Sequence, residues 1–219
     1  MNESDDKALT PDPAEIPAAV VSRLSLYLRE LQHLLRDGHE TVSSSQLGPL
    51  LGFSGAQVRK DLAYFGHFGY PGVGYRCAEL VLAIRRILGT DRDWPVLIVG
   101  TGNLGRALLG YKGFGQQGFR VVAAFDIDPE RIGGQIEGVP IHHFDDLPAI
   151  AQAHAIRLAI LAVPATAAQS VVDRLRAAGI EGILNFAPVT LTLPPGMRQV
   201  GVDLAIELEQ LSFSVVNRI

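Results

Sequence analysis

The sequence predicts an α/β chain in two parts, a small helical unit followed by a parallel sheet with helices on both faces. Three observations predict it. Apolar residues recur at three- and four-residue steps through the first part. From about residue 95 the period changes, and short apolar runs read as buried strands that alternate with helical stretches. A glycine-rich turn, Gly100-Thr101-Gly102-Asn103-Leu104-Gly105, directly follows the first of those runs.

Composition sets the frame. The 219 residues suffice for one large domain or two small ones, and 47% hydrophobic against 19% charged residues excludes wholesale disorder. The net charge of −4 gives no global sign of a polyanionic partner, but its distribution is uneven. Glu3, Asp5, Asp6 and Glu15 make the start acidic, whereas Arg23, Arg29, Arg36, Arg59, Lys60 and Arg76 outweigh Glu30, Asp37, Glu40 and Asp61 between residues 16 and 76. Cys77 is the single cysteine, so no intramolecular disulfide forms, which suits a reducing compartment; its plain reading is a small half-buried apolar residue. With no basic-plus-apolar leader and no run near the roughly 18 residues of a spanning helix, the expected location is cytoplasmic, without a membrane partner. Residues 1–15 are expected to be a disordered tail.

The first helix is predicted over about 17–37, with Val20, Leu24, Tyr27, Leu28, Leu31, Leu34 and Leu35 on one stripe and Gly38 as its stop. A short second helix starts in the serines 43–45, any of which can cap it, and carries Leu47, Leu50 and Leu51. Gly52-Phe53-Ser54 turns the chain into a third helix, 55–65, which gives a helix-turn-helix. The stretch GHFGYPGVGY, with its four glycines and a proline, reads as the short hairpin of a wing, and a linking helix follows over 78–88. The winged-helix domain is therefore set at 16–82. The strands PVLIVG, VVAAFD, IRLAILAV and EGILNF then define a Rossmann domain over 83–190, with a helix over 166–178. The segment 191–219 opens on Leu-Pro-Pro-Gly and closes with a helix over 203–217 whose Leu204, Leu208, Leu211 and Val215 share a stripe while Ile206 and Phe213 lie off it. A terminal helix apolar on more than one face needs cover on more than one side, which points to packing across a dimer.

Two sites follow from these elements. In G-x-G-x-x-G after a strand, Gly100 permits the tight turn, Gly102 lets backbone approach a pyrophosphate, and Gly105 lets the helix lie on the strand; Thr101, Asn103 and Leu104 complete the expected cofactor-binding turn, and the helix N-terminus offers free N–H groups to the phosphates. Asp126 ends the second strand about twenty residues on, where a carboxylate accepts from ribose hydroxyls and repels a 2′-phosphate, so NAD(H) is expected over NADP(H). The later strand ends, Val163-Pro164 and Asn185-Phe186-Ala187-Pro188, sit where a nicotinamide would fall, and the alternative, ordinary turn residues, stays open. On the third helix Val58, Leu62 and Phe65 should face inward, which leaves Gln57, Lys60 and Tyr64 on an outer face beside Arg59; these residue types read bases or hold phosphates, and a plain solvated face is the alternative. His33, His39, His67 and His154 are isolated, and His142 and His143 are adjacent, a poor spacing for two ligands on one strand face, so no metal site is expected. Two competing readings are an NAD-dependent oxidoreductase, for which only Asp203 and Glu207 remain as acid–base candidates after the fourth strand, and a CoA-binding module, against which Asp126 argues.

Taken together, AVVSRLSLYLR, SSSQLG, QVRKDLAYFG, GVGY, VGTGNLGRAL, FDIDPERIGG, AVPATAAQ, GILNFAPV and VDLAIELEQLSF resemble, in that order, the Rex family of bacterial redox-sensing repressors. The resemblance implies no enzyme activity, a homodimer with an exchanged C-terminal helix, double-stranded operator DNA with an inverted repeat as partner, and release by NADH with NAD⁺ a weak competitor. It implies Arg59 and Lys60 as recognition residues, with Ser44 and Ser45 also at the DNA. It makes Tyr111 a tyrosine that moves with redox state, and Arg23 and Asp203 a pair that meet between subunits in one state. The family's hairpin often carries a basic residue before this GVGY; here it is Pro71, which puts a cationic wing contact in doubt. The expected redox discrimination comes from a ring pocket of Val163, Pro164, Phe186 and Pro188, where burying the cationic oxidised ring costs more than burying the neutral reduced one.

Overall fold

The computed structural model describes residues 16–217, so the expected tail 1–15 lies outside the described residues. The chain divides into two compact units, one ending at Arg92 and the second beginning at Asp93. The boundary expected at 82/83 is thereby corrected: those residues fall inside a helix, Cys77–Leu88, whose Leu80 and Ile84 are buried in the first unit's core.

In the first unit α1 (Ala18–Arg36) buries Val20, Leu24, Tyr27, Leu28 and Leu31 as its spacing requires, and Gly38 leaves it in the left-handed region at φ 85°. A two-residue strand β1 (Thr41–Val42) precedes α2 (Ser44–Leu50). Ser43 caps α2 through a capping box with Gln46. Helix α3 (Gly55–Ala63) is capped by Ser54 and buries Val58 and Leu62. The two helices cross closely because Gly48 and Gly55 carry no side chain; a Cβ on Gly48 would lie 2.6 Å from the Phe53 carbonyl oxygen. The wing is a minimal hairpin, a single antiparallel bridge between Tyr70 and Gly74. The chain leaving it forms β2 (Tyr75–Arg76), which pairs with β1. Helix α4 (Cys77–Leu88) then lies against α1, and Cys77 is fully buried in the shared core rather than half-buried.

The second unit is a seven-stranded sheet in the order β5-β6-β4-β3-β7-β8-β9. Its strands are β3 (Trp94–Val99), β4 (Phe119–Asp126), β5 (Gln135–Ile136), β6 (Val139–His143), β7 (Leu158–Leu161), β8 (Gly182–Asn185) and β9 (Arg198–Gly201). All neighbours are parallel except the edge hairpin β5–β6. The chain runs outward from β3 to β4 and β6, then returns to β7 beside β3, so the switch point lies at the carboxyl end of β3. Connecting helices are α5 (Asn103–Leu109), α6 (Gly113–Gln116), α7 (Leu147–Ala153) and α8 (Ala165–Ala177), and α9 (Leu204–Asn217) closes the described chain.

The sheet's two faces are covered unequally. One core gathers Leu97, Val99, Phe125 and Leu161 with Leu147 of α7 and Val172 and Leu175 of α8. The other face packs Ile98, Ala124 and Ile141 beneath Leu109 and Phe114, but over β7–β9 it opens into an apolar groove of about 360 Å³ lined by Leu158, Ile160, Leu184 and Val200. Helix α9 buries none of its residues, and Leu208 at 66% and Phe213 at 62% are exposed.

Candidate nucleotide site and nucleic-acid interface

The glycine turn stands at the switch point, and its three glycines are required for three different reasons. Gly100 has φ 93°, and a Cβ there would collide with the Ala162 carbonyl oxygen at the end of β7. A Cβ on Gly105 would collide with the Gly100 carbonyl oxygen, so this glycine lets α5 sit down on the turn. Around Gly102 no atom lies within 4 Å of an added Cβ, which leaves open space where a pyrophosphate would approach backbone. Asn103 and Leu104 are exposed in the first turn of α5, with N–H groups that no earlier helical carbonyl can meet. Thr101 points the other way: it is fully buried.

Thr101 is held by Asp126. Its N–H donates to Asp126 Oδ2 at 2.8 Å and its hydroxyl donates to the same oxygen. The N–H groups of Ile127 and Asp128 donate to Oδ1 at 2.8 and 3.0 Å, and Arg131 reaches Oδ2 at 3.1 Å. Burial opposes the charge, but these bonds, led by Thr101, prevail and hold the Asp126 carboxyl down at about 2. Asp126 thus staples the glycine turn to the end of β4, beyond its expected part in meeting a ribose. The sign of the linkage follows. A carboxyl lowered from 3.8 to about 2 contributes about 2 kcal/mol above pH 4, lost as pH falls through its folded value. Denaturant unfolding of wild type and Asp126→Asn across acid pH checks this; their stability difference is expected to be flat above about pH 5 and to shrink toward about pH 2.

The other predicted nucleotide residues fall into place differently. Pro164 is exposed and caps α8, with Val163 half-buried before it. Asn185 is buried, at 4% exposure, and its amide is spent on its own loop: Oδ1 accepts from Ala187 N–H at 2.9 Å, and Nδ2 donates to the Val189 carbonyl at 3.3 Å. It shapes the 186–189 turn. Tyr111 is 59% exposed, with its ring over Gly113 and edge-on to Phe114 at 5.0 Å. Asp203 is the cap of α9, accepting from Ala205 N–H at 2.9 Å. Among the described residues no cluster of three metal-ligating side chains occurs and no helix is long and apolar enough to cross a membrane.

In the first unit the outer face of α3 presents Arg59 and Lys60, both exposed. Arg59 donates to Ser44 Oγ at 2.7 Å, which joins α3 to the first turn of α2 and leaves Ser44 buried. Ser45 is exposed, its hydroxyl 2.9 Å from that of Ser43. Tyr64 ends α3, half-buried and tilted on Phe65. Gln57 is drawn to the flank, where its Nε2 donates to Asp61 Oδ1 at 2.7 Å.

Asp61 was not singled out in the sequence, yet it organises this unit. It is fully buried and accepts from Arg23 Nε at 2.6 Å, Arg23 Nη2 at 2.8 Å and the Tyr27 hydroxyl at 2.8 Å, besides Gln57. Burial disfavours its charge, but the hydrogen bonds from Arg23, Tyr27 and Gln57 keep the carboxyl below its ordinary value, while burial and Asp61 push the Tyr27 hydroxyl up. Arg23, expected as a switch residue, is therefore a bidentate partner inside its own unit, tying α1 to the recognition helix.

The fold and sites define a class: a helix-turn-helix unit with a short wing, joined in one chain to a dinucleotide-type Rossmann unit. Comparison with known proteins agrees. Residues 15–63 match the family model of the putative DNA-binding protein N-terminus, and residues 91–189 match that of the CoA binding domain. The redox-sensing transcriptional repressor Rex of Desulfitobacterium hafniense is 47% identical over 93% of this chain and 97% of its own length; that of Streptomyces avermitilis is 49% identical over 90% and 79%. Among solved structures, RSP, a Rex-family repressor, in complex with β-NAD⁺ and operator DNA is 34% identical, covers 93% of this chain and 94% of its own, and superposes with a TM-score of 0.87. RSP with β-NADH gives 33%, 93%, 96% and 0.84. The chain belongs to the Rex family of redox-sensing transcriptional repressors.

Proposed function

We propose that this protein represses transcription by binding operator DNA as a homodimer and lets go when NADH fills its Rossmann unit. One observation carries the reading: a chain with both units is matched over 93% of its length by a repressor crystallised with β-NAD⁺ and operator DNA together. The site residues support it. Gly100, Gly102, Gly105 and Asp126 offer a pyrophosphate cradle and a ribose end, Val163, Pro164, Phe186 and Pro188 border the nicotinamide place, and Arg59 and Lys60 with Ser45 face a phosphate backbone and base edges. The wing tip, Pro71-Gly72-Val73, carries no cation, and Val73 is 52% exposed, so a contact from it is apolar.

The dimer has a physical reason. The groove over β7–β9 and the exposed apolar faces of α9 are each too apolar to stand in water, and each fits the other's need. We take α9 of one subunit to lie on the sheet of its partner. A chain shortened to residue 201 is then expected to be monomeric in light scattering; a full chain that is itself monomeric where it binds operator would exclude the exchange.

Coupling follows from linkage. NADH shifts the protein off DNA only if it prefers a dimer whose recognition helices no longer meet grooves about 34 Å or a multiple apart. Operator must then weaken NADH binding by the same factor by which NADH weakens operator binding. Titration of NADH with and without operator tests this, and an affinity indifferent to operator would rule it out.

A further inference from the structure

Asp126 holds more partners than it has places. An ionised carboxylate offers about four lone-pair positions, and five donors already point at this one: the Thr101 N–H and hydroxyl, the Ile127 and Asp128 N–H groups, and Arg131 Nη1. Three are backbone, and the Thr101 hydroxyl belongs to a residue with no exposed surface. Arg131 alone is a long side chain with a third of its surface in solvent. It also has somewhere else to go, because its Nε lies 3.1 Å from Asp128 Oδ2, on a carboxylate that is 37% exposed.

We propose that Arg131 occupies the ribose seat on Asp126 in the ligand-free protein and passes to Asp128 when an adenosine ribose arrives. The inference rests on the nucleotide reading above. A ribose hydroxyl needs an acceptor, and Arg131 is the one donor among the five that can leave Asp126 without moving backbone or opening the core around Thr101. Every incoming nucleotide therefore breaks a charge-assisted contact before it gains its own. The adenosine half is the same in NAD⁺ and NADH. Arg131 accordingly sets the absolute affinity for both and leaves their ratio to the nicotinamide end, so it places the concentration threshold of the sensor without touching its redox discrimination.

Calorimetric titration of NADH and of NAD⁺ into wild type, Arg131→Leu and Asp128→Ala tests this. Removing Arg131 is expected to tighten both nucleotides by the same factor, about two- to fivefold, the scale of a part-exposed ion pair. Removing Asp128 strands Arg131 on Asp126 and is expected to weaken both alike. Operator binding without nucleotide, followed on the same samples, should be unchanged in both variants and reports that they are folded. Weaker NADH binding by Arg131→Leu would overturn the proposal and make Arg131 a nucleotide holder. A change confined to one redox form would overturn it as well. A wild-type chain that bound neither nucleotide would instead strike the nucleotide reading, and this inference with it.

Discussion

Replacing Asp61 with alanine is expected to cost the N-terminal unit about 3–5 kcal/mol, the penalty for stripping one partner from a buried ion pair. The lower end of that range applies, because Arg23 is 21% exposed and regains some water, whereas the Tyr27 hydroxyl is shut in the core and does not. The loss falls on the contact that fixes α3 against α1, so the recognition helix loses its footing although Arg59 and Lys60 are untouched. Denaturant unfolding of the full chain checks it: the transition of the first unit should move to much lower denaturant while that of the Rossmann unit stays. A shift worth less than about 1 kcal/mol would mean that Arg23 and Tyr27 find other partners and that Asp61 is an ordinary core polar group.

Gly105→Ala is expected to have the largest effect on nucleotide binding. The new Cβ would strike the Gly100 carbonyl oxygen, which is backbone and cannot rotate away, so the turn must open. Overpacking of this kind costs about 1–3 kcal/mol, and if the opening is set against binding it lowers NADH affinity roughly five- to 150-fold. Gly102→Ala makes the informative contrast. Its Cβ meets nothing within 4 Å in the ligand-free protein, so stability should hold, while NADH binding is expected to weaken because the methyl would enter the space proposed for the pyrophosphate. Thermal unfolding and NADH titration of the pair separate the two effects. Retained binding in Gly105→Ala, or lost stability in Gly102→Ala, would mean that the turn does not hold a dinucleotide in this way.

What was legible in the sequence was what repeats or what has a mechanism. The stripe of α1, the caps of α2 and α3, the G-x-G-x-x-G turn and Asp126 at the end of β4 all stand where spacing put them. Strands with weak patterns escaped. β6 carries Pro140 and two histidines, β9 reads Arg-Gln-Val-Gly on an exposed edge, and β1 has two residues, so each is defined by its neighbour rather than by its own apolar period. The expected boundary at 82/83 cut through the linking helix predicted over 78–88, because a helix between two units does not tell from its own period which core it joins; Leu80 and Ile84 join the first.

At the sites the difficulty was of another kind. A helical wheel places Gln57, Lys60 and Tyr64 on one outer face, but only a tertiary contact tells that Asp61 is buried and turns Gln57 to the flank. Aspartate is among the residues least often buried, so no composition rule would have put it in the core. Arg131 lay unremarked within FDIDPERIGG for the same reason: its meaning comes from two carboxylates at 3.1 Å, not from its place in the string. Asn185 was read as a nucleotide contact from its position at a strand end, and the structure gives its amide to the loop it begins.

The most direct test is fluorescence anisotropy of a labelled inverted-repeat operator duplex held by this protein, with NADH added to one sample and an equal concentration of NAD⁺ to another. Loss of the bound signal with NADH and its persistence with NAD⁺ is the predicted result, since burying the cationic oxidised ring costs more than burying the neutral reduced one. Equal release by the two nucleotides, or release by neither, would contradict the claim that this chain converts the redox state of a dinucleotide into a choice between free and bound DNA.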